Sequence, residues 1–138
     1  MKFLAMSVIA SVVFFGCAQA QQGDKPVINS SATSSKDFQP KAFQSEMTGK
    51  EVLLIDVRTP AEFADGHLSQ AINIDWNGSD FVQKVQQLDK TKPVFVYCAV
   101  GGRSSKAKSK LVELGFKEVH NLIGGFDQWS AEGLPFDK

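Results

Sequence analysis

Arginine is nearly absent from this chain. Of 15 basic residues only Arg58 and Arg103 are arginines, and the rest are lysines, so each arginine calls for a specific role. Charge of one sign is missing too: 15 acidic residues balance the basic ones, which leaves no electrostatic footprint for nucleic acid and no solvating acidic tail. Histidine is limited to His67 and His120, far apart in the chain, and the two cysteines, Cys17 and Cys98, form no metal-ligand pair. No metal site and no cofactor are expected from such a set. Long apolar runs are also lacking, since the longest, Phe3 to Phe15, is interrupted by Ser7 and Ser11. A membrane span needs about 20 apolar residues.

That short run reads as an export signal. Met1-Lys2 gives a positive start, and Ala18-Gln19-Ala20 is a small-x-small cleavage signature, so residues 1–20 would be removed and the mature chain would begin at Gln21. A competing reading takes Phe15-Gly16-Cys17 as a lipoprotein box, with a lipidated Cys17 tethering the chain to a membrane; Phe14 stands where such boxes carry an aliphatic residue. On either reading the protein is expected in the periplasm or outside the cell, and Cys98 becomes its only free thiol. No internal disulfide can then form.

Residues 21–37 are polar and serine-rich without apolar periodicity, as in a flexible tether. From Phe38 to Lys138 strand and helix patterns alternate. The apolar runs Val52–Val57, Ala71–Ile74, Val94–Tyr97 and Glu118–Leu122 read as strands, with a weak edge strand near Phe38. Helices are expected at Pro60–Phe63 behind a Thr59 cap, at Asp80–Leu88, at Ser104–Leu114 ending in Gly115, and at Phe126–Glu132. Alternation of this kind implies an α/β domain with a mostly parallel sheet and helices on both faces.

Cys98 falls where the apolar strand Val94–Tyr97 gives way to the turn Ala99-Val100-Gly101-Gly102-Arg103-Ser104 and then to a helix. Ligand sites of α/β proteins lie at this carboxyl edge. The two glycines would let the backbone curl so that successive N–H groups converge, and the helix start and Arg103 would add positive potential. All three favour a thiolate over a thiol, hence a nucleophile. An inert, buried Cys98 would require none of them.

The loop Cys98–Ser104 resembles the active-site loop of rhodanese-like sulfurtransferases. Asp56-Val57-Arg58-Thr59-Pro60-Ala61-Glu62-Phe63 with Gly66-His67-Leu68 and Ala71–Ile74 is similar to that family's N-terminal signature. Leu122-Ile123-Gly124-Gly125-Phe126-Asp127-Gln128-Trp129 is similar to its C-terminal one. The resemblance implies a three-layer α/β/α fold with a five-stranded, mostly parallel sheet, and a Cys98 that carries sulfur as a persulfide. Ala99, Val100, Gly101, Gly102, Arg103 and Ser104 would then hold the sulfur and the substrate. Related phosphatases have a longer loop between cysteine and arginine; here only four residues, Ala99 to Gly102, intervene, which suits a sulfur atom better than a phosphate.

The implied reaction is thiosulfate sulfurtransferase-like. A small donor such as thiosulfate loads Cys98, and a thiophilic acceptor such as cyanide, a thiol or a protein unloads it. The alternative is a rhodanese-like carrier or interaction module without free turnover. The uncharged tip, Ala99 and Val100, departs from thiosulfate-specific relatives, which often carry a basic residue there. Gln70 and Asp75 stand where relatives commonly show Gly and Pro. Arg103 could orient an anionic donor or pair with Asp56 or Glu62; Arg58, between the same two carboxylates, reads as structural. Ser104 is expected to cap the helix and within reach of the sulfur, and His67 and His120 to be satisfied structural groups. Lys106, Lys108 and Lys110 read as a solvated face, and Phe126 and Trp129 as core or rim.

Overall fold

The computed structural model describes residues 32–138; the expected export signal, Cys17 and most of the expected tether lie outside them. Five strands form one sheet in the order β1-β5-β4-β2-β3, and every pairing is parallel. They are β1 (Ser34–Phe38), β2 (Leu53–Asp56), β3 (Ile72–Asn73), β4 (Val94–Tyr97) and β5 (Glu118–Leu122). The helices are α1 (Pro40–Met47), α2 (Pro60–Ala64), α3 (Phe81–Gln86), α4 (Gly102–Glu113) and α5 (Gly125–Ala131).

The central strand explains itself. All four residues of β4 are buried, because helices cover both faces of the sheet. On one face Ile55, Val94, Val96 and Val119 pack with Phe81 and Val85 of α3 and Ala107 and Leu111 of α4. On the other, Leu54, Phe95, Tyr97 and Leu122 meet Phe43 of α1 and Trp129 of α5. Fully burying one such side chain contributes about 1.5–3 kcal/mol, so the two layers lock the sheet from both sides.

The domain starts earlier than Phe38. Ser34–Asp37, expected in the tether, form most of β1, which pairs with β5 from Ser34↔Glu118 to Phe38↔Leu122. Nothing in its sequence alternates because the strand is an exposed edge, held by its backbone ladder and not by burial. Asp37 also accepts from Lys108 Nζ and Asn121 Nδ2, both at 2.9 Å, which ties β1 to α4 and β5; Lys108 is therefore engaged and not merely solvated. Helix α1 was not foreseen, since only Phe43 and Pro40 of its eight residues are buried.

Two turns matter for the site. Thr59 caps α2 as expected, and Glu62 completes a capping box by accepting from the Thr59 N–H at 3.0 Å. Helix α4 stops in a Schellman turn: Gly115 at φ +94° donates to the Val112 carbonyl and Phe116 to that of Leu111, with Leu111 and Phe116 packed in the core. Gln70 adopts φ +70°, the left-handed region that favours glycine.

Candidate active site

β2 and β4 are neighbours, yet the chain leaves them in opposite directions, toward β3 and toward β5. Ligand sites of α/β sheets form at such a switch point, and Cys98 lies there, directly after β4. The residue is 1% exposed. Its Sγ accepts from the Gly101 N–H at 3.1 Å and from the Ser104 hydroxyl at 3.4 Å. That hydroxyl also lies 3.2 Å from the Gly101 carbonyl oxygen, so one proton serves either acceptor.

Burial pushes the Cys98 thiol up, but the Ser104 hydroxyl and the N–H groups of Ser104, Gly101 and Val100 outweigh it and hold the thiol below its ordinary value. The thiolate is thus stabilised by dipoles converging on one atom, more than by a neighbouring cation.

The glycines divide their work differently from the expectation. Gly101 alone of the pair takes a positive φ, +108°, as the N-cap of α4. Gly102 has ordinary helical geometry and open space where a Cβ would be. Helix α4 consequently begins at Gly102 and not at Ser104, so Ser104 is no cap: it lies fully buried in the first turn, against the sulfur.

Arg103 is committed to Glu62. Its Nη1 and Nη2 donate to Glu62 Oε2 and Oε1 at 2.8 and 2.7 Å, a bidentate bridge from the first turn of α4 to α2. Glu62 is held in turn by the Thr59 N–H and hydroxyl, both at 3.0 Å. Arg103 first, then the Thr59 groups, keep its carboxyl far below the carboxylate range, at about 2, despite some burial. Arg58 does not touch Glu62. It is 4% exposed and bonds Asp56 through Nε at 3.0 Å and Nη2 at 2.6 Å. It also reaches the Gly66 carbonyl, and its guanidinium lies 4.2 Å from the Phe126 ring centre. It is structural, as expected, but with Asp56 alone of the two carboxylates.

The back of the loop is held by α5, a role not read from the sequence. The N–H groups of Phe126 and Asp127 donate to the carbonyls of Cys98 and Ala99 at 2.8 and 3.0 Å. With those carbonyls turned toward α5, the amides that follow face the sulfur. Gly125 makes the approach feasible: at φ +59° a Cβ there would overlap both carbonyl oxygens. The doubled glycine Gly124-Gly125 was the visible signal for a close backbone approach.

Ala99 and Val100 form the rim, with Val100 68% exposed. The histidines stay out of the chemistry. His67 stacks on Phe63 and bonds the Phe63 carbonyl oxygen through Nδ1 at 3.0 Å. His120 is buried in β5 with Nε2 on Glu118 at 2.7 Å, but its Nδ1 has no partner, so it is only half satisfied. A cavity among Met47, Leu54, Leu68 and Trp129 lies on the opposite face of the sheet from Cys98.

Comparison with known proteins places this geometry. Residues 39–132, more than half of the chain, match the family model described as rhodanese-like domain. The chain is 36% identical over 91 residues to thiosulfate sulfurtransferase 16, chloroplastic, of Arabidopsis thaliana, covering 59% of this chain and 76% of the relative. It is 37% identical over 82 residues to the thiosulfate sulfurtransferase GlpE of Coxiella burnetii, covering 59% and 75%. A rhodanese-related protein of Thermoplasma volcanium superposes with a TM-score of 0.66 at 28% identity, over 74% of this chain and 97% of that one. With a five-stranded parallel α/β/α fold, a cysteine at the end of its central strand and these matches along its length, the chain belongs to the rhodanese-like family of sulfurtransferases.

Proposed function

We propose that the protein is an exported sulfurtransferase in which Cys98 carries sulfur as a persulfide. The observation that carries this is the cradle: the Gly101 N–H and Ser104 hydroxyl on Sγ, inside a loop that α5 holds from behind. The Cys98 thiolate attacks the outer sulfur of a sulfane donor such as thiosulfate. The S–S bond breaks, its electron pair leaves with sulfite, and the sulfur stays on Cys98. An acceptor such as cyanide or a thiol then attacks that outer sulfur, and Cys98 leaves as thiolate, stabilised by the same donors. Two half-reactions through a covalent intermediate give ping-pong kinetics. Export is supported by the apolar stretch ahead of Ala18-Gln19-Ala20.

Replacing Cys98 with Ser abolishes donor-to-cyanide transfer on this reading; turnover that survives the substitution would refute it. A second reading, a carrier that hands sulfur to a protein with little free turnover, is favoured by the exposed apolar side chains Val100 and Ile123 beside the loop. Loading of Cys98 without turnover on small acceptors would select that reading.

A further inference from the structure

The cavity on the face of the sheet away from Cys98 holds about 130 Å³. Its walls are apolar: Leu54, Leu68 and Trp129 are buried, and Met47 is half-buried. Gln44, half-buried, and Ser69, exposed, are the polar members of the lining. A cavity of about 150 Å³ with such walls takes a benzene ring, so this one has room for a single branched aliphatic side chain. Phe136, next in the chain to the lining residue Pro135, is engaged elsewhere: its ring stands edge-on to Phe126, with 5.1 Å between centres.

The cavity lies toward the edge of the sheet where the strands begin. Helix α1 returns from the end of β1 to the start of β2, which puts its last residue, Met47, at that edge, and Leu54 is the second residue of β2. The chain enters β1 at Ser34, on the same edge. In the order β1-β5-β4-β2 the two strands are three steps apart, roughly 14 Å at about 4.8 Å per step. Between Gln21 and Thr33 the only large aliphatic side chains are the adjacent Val27 and Ile28, behind Pro26. The six residues from Ile28 to Ser34 span up to about 20 Å when extended, enough to cross.

We propose that Val27-Ile28 docks in this cavity, with the Ile28 side chain among Met47, Leu54 and Trp129, so that the serine-rich segment is fastened to the α1/α5 face. A weak contact suffices, because a short flexible connection holds the two partners at a millimolar effective concentration. Both processing routes, cleavage before Gln21 and lipidation of Cys17, leave Val27 and Ile28 in the chain. Docking makes the tether leave the domain from the edge opposite Cys98, which turns the cysteine away from whatever the chain is attached to. On a lipidated chain the nine residues from Cys17 to Pro26 would keep the domain within about 30 Å of its membrane. None of this depends on the chemistry at Cys98.

The test is NMR of the chain beginning at Gln21, carbon-13 labelled at isoleucine and methionine methyl groups, beside a Val27→Ser/Ile28→Ser variant. The expected result is nuclear Overhauser contacts from the Ile28 methyls to the Trp129 ring and the Met47 methyl, with Ile28 shifted upfield by that ring and unchanged on dilution. The variant loses these contacts, and its Met47 and Trp129 signals move. Added benzene then shifts Met47 and Trp129 in the variant and not in the wild type. Ile28 methyls at unfolded-peptide positions without contacts to the cavity overturn the proposal, as does a wild type that takes up benzene as readily as the variant. Contacts seen only between differently labelled copies in a mixed sample assign the cavity to a second molecule and overturn it too. Sulfur loading of Cys98, measured on both proteins, is expected to be equal, so failure of the docking and failure of the sulfur-carrier reading are told apart.

Discussion

Gly125→Ala is the sharpest test of how the loop is held. The new Cβ would overlap the carbonyl oxygens of Cys98 and Ala99, which are backbone atoms and cannot swing aside as a side chain would. Relief requires the loop and the start of α5 to separate, breaking the bonds from Phe126 and Asp127 at 2.8 and 3.0 Å. Each lost bond costs about 1 kcal/mol. Alanine at φ +59° adds about 1–2 kcal/mol of backbone strain, and its stiffer unfolded chain returns about 0.4–1 kcal/mol. The net is a destabilisation of about 3 kcal/mol, measured by urea denaturation. The functional effect is larger than stability alone implies, because the amides that face Sγ move with the loop. Displacing a reacting group by about 1 Å can cost about a hundredfold in rate. Gly102→Ala is the control, with free space and ordinary φ, and should stay within about 0.5 kcal/mol of wild type. A Gly125→Ala protein with wild-type stability and thiol reactivity would refute the bracing role of α5.

Other outcomes follow from the same geometry. Ser104→Ala removes the largest of the bonds that lower the Cys98 thiol, so its pH profile of alkylation should shift toward higher pH; an unchanged profile would assign the cradle to backbone alone. Asp56→Ala strands the Arg58 guanidinium, 4% exposed, without its carboxylate and should cost about 3–5 kcal/mol in chemical denaturation, whereas a surface-like loss below about 1 kcal/mol would contradict its burial. Gln70→Gly relieves the positive φ at an exposed position and should raise stability by about 0.5–1 kcal/mol net of glycine's added chain entropy; a loss would show that the Gln70 side chain makes a compensating contact.

β2 and β4 were legible because burial on both faces writes a continuous hydrophobic run, as in Val94–Tyr97. β1 was hidden because Ser34–Asp37 are polar and exposed and join the sheet through their backbone ladder, with Asp37 adding side-chain bonds that no periodicity records, and α1 because little of it is buried. At the site, Cys98 and its turn could be read from a strand running into glycines. Arg103 with Glu62 was one of two open choices, since sequence separation says nothing of which carboxylate faces it. Ser104 could be placed near the sulfur but was given a cap position, because two glycines conceal where a helix starts. The hold of α5 on the Cys98 carbonyl is a contact between distant backbone groups, and only the doubled glycine left a trace of it. The half-satisfied His120 likewise depends on packing around β5 that its own sequence does not record.

The most direct test of the central claim is intact-mass measurement of the purified protein after incubation with a sulfane donor, removal of excess donor and no added reductant. The account predicts a gain equal to one sulfur atom on the wild type, localised to Cys98 by peptide mapping, discharged by cyanide, and absent from Cys98→Ser. A wild type that gains no mass from any sulfane donor, or a Cys98→Ser protein that gains the same mass, would contradict it.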